Sequence, residues 1–354
     1  MALLYTKLKV FHFPEKLDSL PAGVPTILPP LNVRLKPTNV CNHRCAYCAY
    51  RNDALQLGQD MDVRDFIPQA KMMEIVDDLI AMGVKAVTFS GGGEPFVYPY
   101  LLETVKRLAA SDIKFASLTN GSRLTGEVAE IFAHRATWLR VSIDGWDNAS
   151  YAAYRRIAEG EFSRLMQNME AFQRFGGPCY LSVIMNVDAT NAAHVYDLIR
   201  TLSGTGVRSV KVAPVIQSND GGVNNDYHRP YFESVAEQVA RARAEFPGIE
   251  ISSGYQAQLV GFAKTYTWCP YLQIRPVIGA DLNVYACQDK AYNLADGLLF
   301  SIKQQSFRQG WFADKAQFFR VNPNQVCNHH CVSNDGNKFI HEYLDADPQH
   351  VAFV

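Results

Sequence analysis

Cys41, Cys45 and Cys48 fall within eight residues of "TNVCNHRCAYCAYRND", and no fourth cysteine follows nearby. Three thiolates on one loop can hold a cubane iron–sulfur cluster by three of its irons, leaving the fourth iron to an outside ligand. Zinc is the other metal to weigh, but structural zinc takes four protein ligands and catalytic zinc patterns usually include histidine. His43 lies inside the loop and is more simply read as solvated or packed there. A second stretch, "SGGGEP" (90–95), frees the backbone to approach a ligand closely, with exposed amides and carbonyls to meet an amino group or a carboxylate; taken alone it is also a strand-to-helix turn. Four more cysteines stand late in the chain. Cys269 and Cys287 flank a hairpin pattern, and "CNHHC" carries Cys327 and Cys331 on one loop. Four thiolates close a site, so this centre is expected to be structural or electron-transferring. A four-cysteine zinc knuckle satisfies the same spacing, as does a set in which His329 or His330 replaces a thiolate.

These residues need a scaffold, and the chain supplies a rhythm. Short β-rich runs recur at 31–37, 84–90, 113–119, 138–144, 180–187 and 209–216, with helical patterns between them at about 68–82, 98–110, 125–134, 162–175, 191–204 and 229–246. Met72, Ile75, Val76, Leu79 and Ile80 are spaced as the buried stripe of the first helix. Six strand and helix units predict an α/β fold, a partial (β/α)6 TIM-like barrel, with its site at the carboxyl ends of the strands. The cysteine loop follows the first strand and the glycine run follows the second, which puts both at that mouth. Beyond residue 250 the rhythm changes, and 269–289 alternates as a β-hairpin around Gly279 to Asp281. The expected division is a proline-bearing, extended lead-in at 1–30, the barrel at 31–254 and a small cysteine-bearing domain at 255–354. Cys179 precedes the fifth strand and is expected at the barrel floor as a core thiol.

Composition narrows the partners. With 34 Lys and Arg against 35 Asp and Glu, the net charge of −1 gives no general grip on nucleic acid or membrane. The first twenty residues carry Lys7, Lys9, His12, Pro14, Glu15 and Lys16, and no later apolar run has the length of a membrane span. A cytoplasmic protein is expected, and eight cysteines in that compartment argue for metal or redox chemistry over disulfides.

Together these motifs resemble the radical SAM superfamily over about 31–250. Its C-x3-C-x2-C pattern is met by Cys41, Cys45 and Cys48, with Tyr47 before the last cysteine; its methionine-amine motif is similar to Gly91, Gly92, Gly93, Glu94 and Pro95; its fourth-strand motif is similar to Ser142 and Asp144 in "SIDG". The resemblance implies a [4Fe-4S] cluster on the three cysteines and S-adenosyl-L-methionine at its open iron. One electron would then cleave the C5′–S bond, and a 5′-deoxyadenosyl radical would take hydrogen from a substrate. Tyr47 would pack near the adenine, with Asn120 and Asn186 at the mouths of the third and fifth strands. Arg155 or Arg156 would reach the methionine carboxylate or lie on a helix surface. The tail resembles a Twitch domain, a shortened SPASM domain, which implies one auxiliary [4Fe-4S] cluster on Cys269, Cys287, Cys327 and Cys331.

With one auxiliary cluster and no spare thiol to return hydrogen, the expected reaction is oxidation of a polar small molecule of sugar, aminocyclitol or nucleotide type. The auxiliary cluster would accept the second electron, and a flavodoxin or ferredoxin would supply the first. A peptide maturase, a radical epimerase and a non-catalytic iron–sulfur carrier are the alternatives. No separate peptide-binding domain is evident ahead of the barrel. Arg34, Lys36, Lys211 and Gln217 are candidate substrate contacts, and Tyr255, Trp268 and Tyr271 candidate walls, the strands reading as apolar on both faces.

Overall fold

A computed structural model describes residues 6–353. All six expected strands are present: β1 (Asn32–Leu35), β2 (Ala86–Phe89), β3 (Lys114–Thr119), β4 (Trp138–Ser142), β5 (Tyr180–Val187) and β6 (Ser209–Pro214). They pair in parallel in chain order, and a seventh parallel strand, β7 (Glu250–Ser253), adds to β6. The sequence reading missed β7 because "EISS" buries only Ile251 and carries almost no apolar signal. The tail hairpin is β8 (Val277–Ile278) and β9 (Asn283–Tyr285), joined by the Gly279–Leu282 turn, with β10 (Leu298–Ser301) antiparallel to β9. β8 pairs in parallel with β1, so the hairpin extends the barrel's own sheet and sits beside the strand that leads into the cysteine loop.

Alternation along the strands sorts the residues into two faces. Val33, Leu35, Val87, Phe89, Leu139, Val141, Leu181, Val183, Met185, Val210 and Val212 are all fully buried under the outer helices. The helix Gln69–Met82 presses Met72, Ile75, Val76 and Leu79 onto that layer. The opposite face, toward the lumen, is polar and corrects the reading of strands apolar on both sides: Arg34, Arg140, Ser142, Ile184, Asn186 and Lys211 all line interior space there. Cys179 is buried at the amino end of β5, its thiol pushed up to about 12 by burial.

The lead-in is helical where an extended segment was expected. Thr6 caps a 3-10 helix, Lys7–His12, followed by Pro14–Asp18 with proline at its first position, where no amide is needed. Val10, Leu17 and Leu20 then pack on Ile274 and on Ile340 of the last helix, Asn334–Leu344. Residues 1–5 of the lead-in lie outside the described residues. Among the described residues no helix is long and apolar enough to cross a membrane.

Lys16 sits inside this seam, donating to the Leu28 carbonyl at 2.8 Å. Burial, reinforced by Lys315, lowers its pKa to about 7. The unfolded chain therefore binds one more proton than the folded chain between about 7 and the ordinary lysine value, and stability should rise with pH across that window, with a slope approaching about 1.4 kcal/mol per pH unit. Below that window both states hold the proton and the contribution is flat. Urea unfolding of wild type and Lys16→Met across this range should show the slope in the first and its loss in the second.

Candidate active site

The cysteine loop leaves β1 and is clamped to the helix Asn148–Arg155 by two backbone bonds, Arg44 N–H to the Arg155 carbonyl at 3.0 Å and Ala46 N–H to the Tyr154 carbonyl at 3.1 Å. Cys41, Cys45 and Cys48 are half-buried there, and Cys41 and Cys48 each feel the charge of other cysteines of the loop. Burial pushes the Cys41 thiol up to about 11, so ionising it at neutral pH calls for a cation to bind. His43 is 3% exposed with its ring edge against Tyr151, which corrects the solvated alternative for its side chain.

Asp144, fully buried just past β4, is the hub of this mouth. Its carboxylate pairs with the Arg155 guanidinium, accepts from Tyr47 Oη at 2.6 Å, and accepts the Asn186 backbone N–H at 2.8 Å. Arg155 also donates to the Ser142 carbonyl at 2.7 Å and reaches Cys45 Sγ at 3.3 Å. Arg155 is thus no surface helix arginine; at 3% exposure it is held charged by Asp144 against the cost of burial. Arg156 lies at the exposed end of that helix. Tyr47, Ser142, Asp144, Arg155 and Asn186 therefore form one network touching the cysteine loop.

A second network carries the glycine run. Glu94 is 3% exposed and directs both carboxylate oxygens into the protein, accepting from Thr119 Oγ1 and the Asn120 N–H at 2.6 Å each and from the Phe96 N–H at 3.0 Å. Asn120 in turn donates to Asn42 of the cysteine loop at 2.9 Å. The glycines are required sterically. A Cβ on Gly91 would stand 1.8 Å from the Gly93 carbonyl oxygen, and one on Gly93 would stand 2.1 Å from the Val40 carbonyl oxygen, next to Cys41. Ser90 Oγ, before the run, is buried without a hydrogen-bond partner among the described residues.

Above the barrel, a cavity of about 300 Å3 is lined by Tyr47 and Asn186 from the mouth and by Gln288, Asp289 and His330 from the tail. Tyr50 joins the two halves, accepting from Lys36 and from Gln288. Behind that tail wall, Cys269, Cys287, Cys327 and Cys331 line one small enclosed space together with Lys264, Lys290 and His329. Burial pushes Cys269 and Cys331 up to about 12 and holds Cys287 well above its ordinary value. Lys290 Nζ, buried with no hydrogen bond and 3.8 Å from its nearest carboxylate, Asp296, points to an anionic occupant. Of the expected walls, Tyr271 lines this cysteine space, whereas Tyr255 is buried against His228 and Phe232, and Trp268 packs on Phe319 and His341. Gln217 hydrogen-bonds by its backbone to Asn224 and Asn52.

Among the described residues no group of three or more His, Cys, Asp or Glu is arranged to hold a single metal ion. One tetrahedral zinc would draw its sulfurs to within roughly 4 Å of each other.

The sequence model described as "Radical SAM superfamily" matches residues 35–202, a span that contains the cysteine loop, the glycine run and Asp144. Over that span the chain matches the radical SAM superfamily. Among curated proteins, a GTP 3′,8-cyclase of Rhizobium etli is 26% identical over 179 residues, 49% of each chain. An S-adenosylmethionine-dependent nucleotide dehydratase of Lacinutrix mariniflava is 30% identical over 124 residues, 34% of this chain and 25% of that one. The chain spans about half the length of the first of these relatives or less. Among solved structures, SuiB of Streptococcus suis bound to precursor peptide SuiA has a TM-score of 0.60 at 16% identity, covering 88% of this chain and 71% of that one. The protein anSMEcpe with bound AdoMet has a TM-score of 0.58 at 16% identity, covering 89% and 97%. Such coverage runs past the barrel into the tail, so this radical SAM protein shares its two-part fold with both.

Proposed function

We propose that this radical SAM enzyme oxidises a polar small molecule of nucleotide, sugar or aminocyclitol type, using a second, auxiliary [4Fe-4S] cluster as electron acceptor. The observation that carries the reading is adjacency: Gln288, Asp289 and His330, which wall the cavity beside Tyr47 and Asn186, are sequence neighbours of Cys287 and Cys331. A substrate there would have the radical source on one side and an electron sink on the other. Both curated relatives are named for nucleotide chemistry, which supports the nucleotide member of the class.

Cys41, Cys45 and Cys48 would hold the first cluster and Cys269, Cys287, Cys327 and Cys331 the auxiliary one. When bound, the first cluster with S-adenosylmethionine supplies one-electron C–S cleavage and a hydrogen-abstracting carbon radical, and the auxiliary cluster supplies a one-electron acceptor. The chain's own residues do the rest. Asp144 fixes Arg155 and Tyr47 beside Cys45, giving a cation and an aromatic face for the methionine carboxylate and adenine. Gly91, Gly92 and Gly93 keep the backbone open for the methionine amine, Glu94 braces that run against Asn120, and Ser142 and Asn186 border the ribose side. In this reading 31–254 is the radical domain, 255–354 the Twitch-like auxiliary domain, and 1–30 a lead-in packed on both. The first electron comes from a flavodoxin or ferredoxin in the cytoplasm. The oxidation would balance as one hydrogen atom from a substrate carbon to the 5′-deoxyadenosyl radical, one proton to solvent and one electron to the auxiliary centre, two electrons in total.

Anaerobically reconstituted, dithionite-reduced protein should form 5′-deoxyadenosine from S-adenosylmethionine. Its absence from protein with a full iron complement would overturn the reading in favour of a non-catalytic iron–sulfur carrier.

A further inference from the structure

Below the mouth, the lumen opens into a second cavity of about 580 Å3, which shares Ile184, Asn186 and Lys211 with the one above. Its lining includes Arg34 of β1, Arg140 of β4, Lys211 of β6 and Arg275, which precedes β8, with Lys9 exposed at the rim. None of the described residues that line it is acidic. The nearby acids are accounted for: Glu250 takes the Tyr180 hydroxyl at 3.3 Å, Asp289 lies in the upper cavity, and Asp144 is engaged by Arg155. The cations repel each other. Arg34 is held down to about 10 by burial and then by Arg275, with Arg140 adding to it, and Lys211 is held down to about 8 by burial and then by Arg140 and Arg34.

The donors of Arg34 and Arg275 are only partly used. Arg34 gives one nitrogen to Gln288 Oε1 at 2.9 Å while its Nε is buried without a hydrogen-bond partner, and Arg275 donates to Ser333 Oγ at 2.8 Å. Arg140 donates to Ser182 Oγ at 3.3 Å and lies over the Trp138 ring. Lys211 makes no hydrogen bond or ion pair among the described residues. Concentrating like charges from separate strands in a half-buried space is unfavourable unless an anion joins them. Guanidinium forks suit phosphoryl oxygens, and several cations exceed what a single carboxylate needs. The cations are spread in depth: Lys211 is level with Ser142 through Ile184, and Arg140 lies two residues lower on β4, about 7 Å further from the mouth.

We propose that this lumen is a polyphosphate seat: the substrate is a phosphorylated metabolite carrying at least two phosphoryl groups, of nucleoside-diphosphate or nucleotide-sugar type, held by Arg34, Arg140, Lys211 and Arg275 with its reacting carbon raised toward Tyr47 and Asn186. The inference rests on the small-molecule reading above and deepens it.

The test uses inorganic pyrophosphate as the probe, titrated calorimetrically into the reconstituted full-length protein without turnover. Wild type should bind it with affinity better than about 1 mM, weakening with added salt. Lys211→Ala and Arg140→Gln should each weaken binding by about tenfold or more while S-adenosylmethionine affinity stays within about twofold. Lys211→Ala should also raise the melting temperature of the ligand-free protein, because it removes repulsion; a lysine that served only packing would lower it. Should Lys211→Ala misfold, Lys211→Gln carries the same comparison. Pyrophosphate binding unchanged by both substitutions, no binding to wild type, or succinate competing as well as pyrophosphate overturns the proposal. Pyrophosphate binding that depends on Lys211 in protein forming no 5′-deoxyadenosine upholds the seat and rejects the reaction, so the two failures are told apart.

Discussion

Asp144→Asn is expected to lower S-adenosylmethionine cleavage by about 100-fold or more, since a small displacement of a bound reactant has effects of that size. The physical reason is the number of groups that one carboxylate holds. Arg155, Tyr47 and the Asn186 amide all converge on it, and Arg155 touches Cys45. The asparagine is nearly isosteric but uncharged, which leaves the guanidinium buried and uncompensated. Removing one partner of such a pair typically costs about 3–5 kcal/mol. The double variant Asp144→Asn with Arg155→Met should therefore recover much of the stability that the single variant loses, while cleavage stays low. Urea unfolding and 5′-deoxyadenosine formation, measured on all three proteins, check this. Full cleavage in the single variant would remove Asp144 from the positioning role.

Cys287→Ala should separate the two halves of the chemistry. Iron per chain should fall from about eight toward about four, because the iron left open by the lost thiolate has no S-adenosylmethionine to complete it, as the one at the barrel mouth would have. 5′-Deoxyadenosine should still form, since Cys41, Cys45 and Cys48 lie on a different loop, but the two-electron-oxidised product should disappear. Iron analysis with electron paramagnetic resonance, beside product analysis, reads both effects. About four irons in wild type, with zinc present and lost in the variant, would replace the auxiliary cluster by a zinc knuckle.

Much of the barrel was legible because its strands leave a strong trace. Runs such as "VKAVTFS" and "YLSVIMNV" bury every second residue under helices, and the cysteine and glycine spacings name their chemistry. β7 escaped because an edge strand with one buried residue has little apolar pattern to show. The helical lead-in escaped because Val10, Leu17 and Leu20 acquire their partners, Ile274 and Ile340, from more than 250 residues away. The faces of the strands were also misjudged. "NVRLK" and "SVKVAP" do alternate, but the polar positions face the lumen, where partners from other strands decide whether a charge is tolerated.

By itself the sequence determined the radical SAM resemblance, the cysteine-bearing loops and the order of the strands, because those depend on local spacing and periodicity along one segment. Only the tertiary structure decided that Glu94 turns inward as a brace, that Asp144 gathers Arg155 and Tyr47, and that Arg34, Arg140, Lys211 and Arg275 share one cavity. Those facts belong to groups far apart in the chain. Coulomb energy and burial depend on distance in space, which no single segment contains.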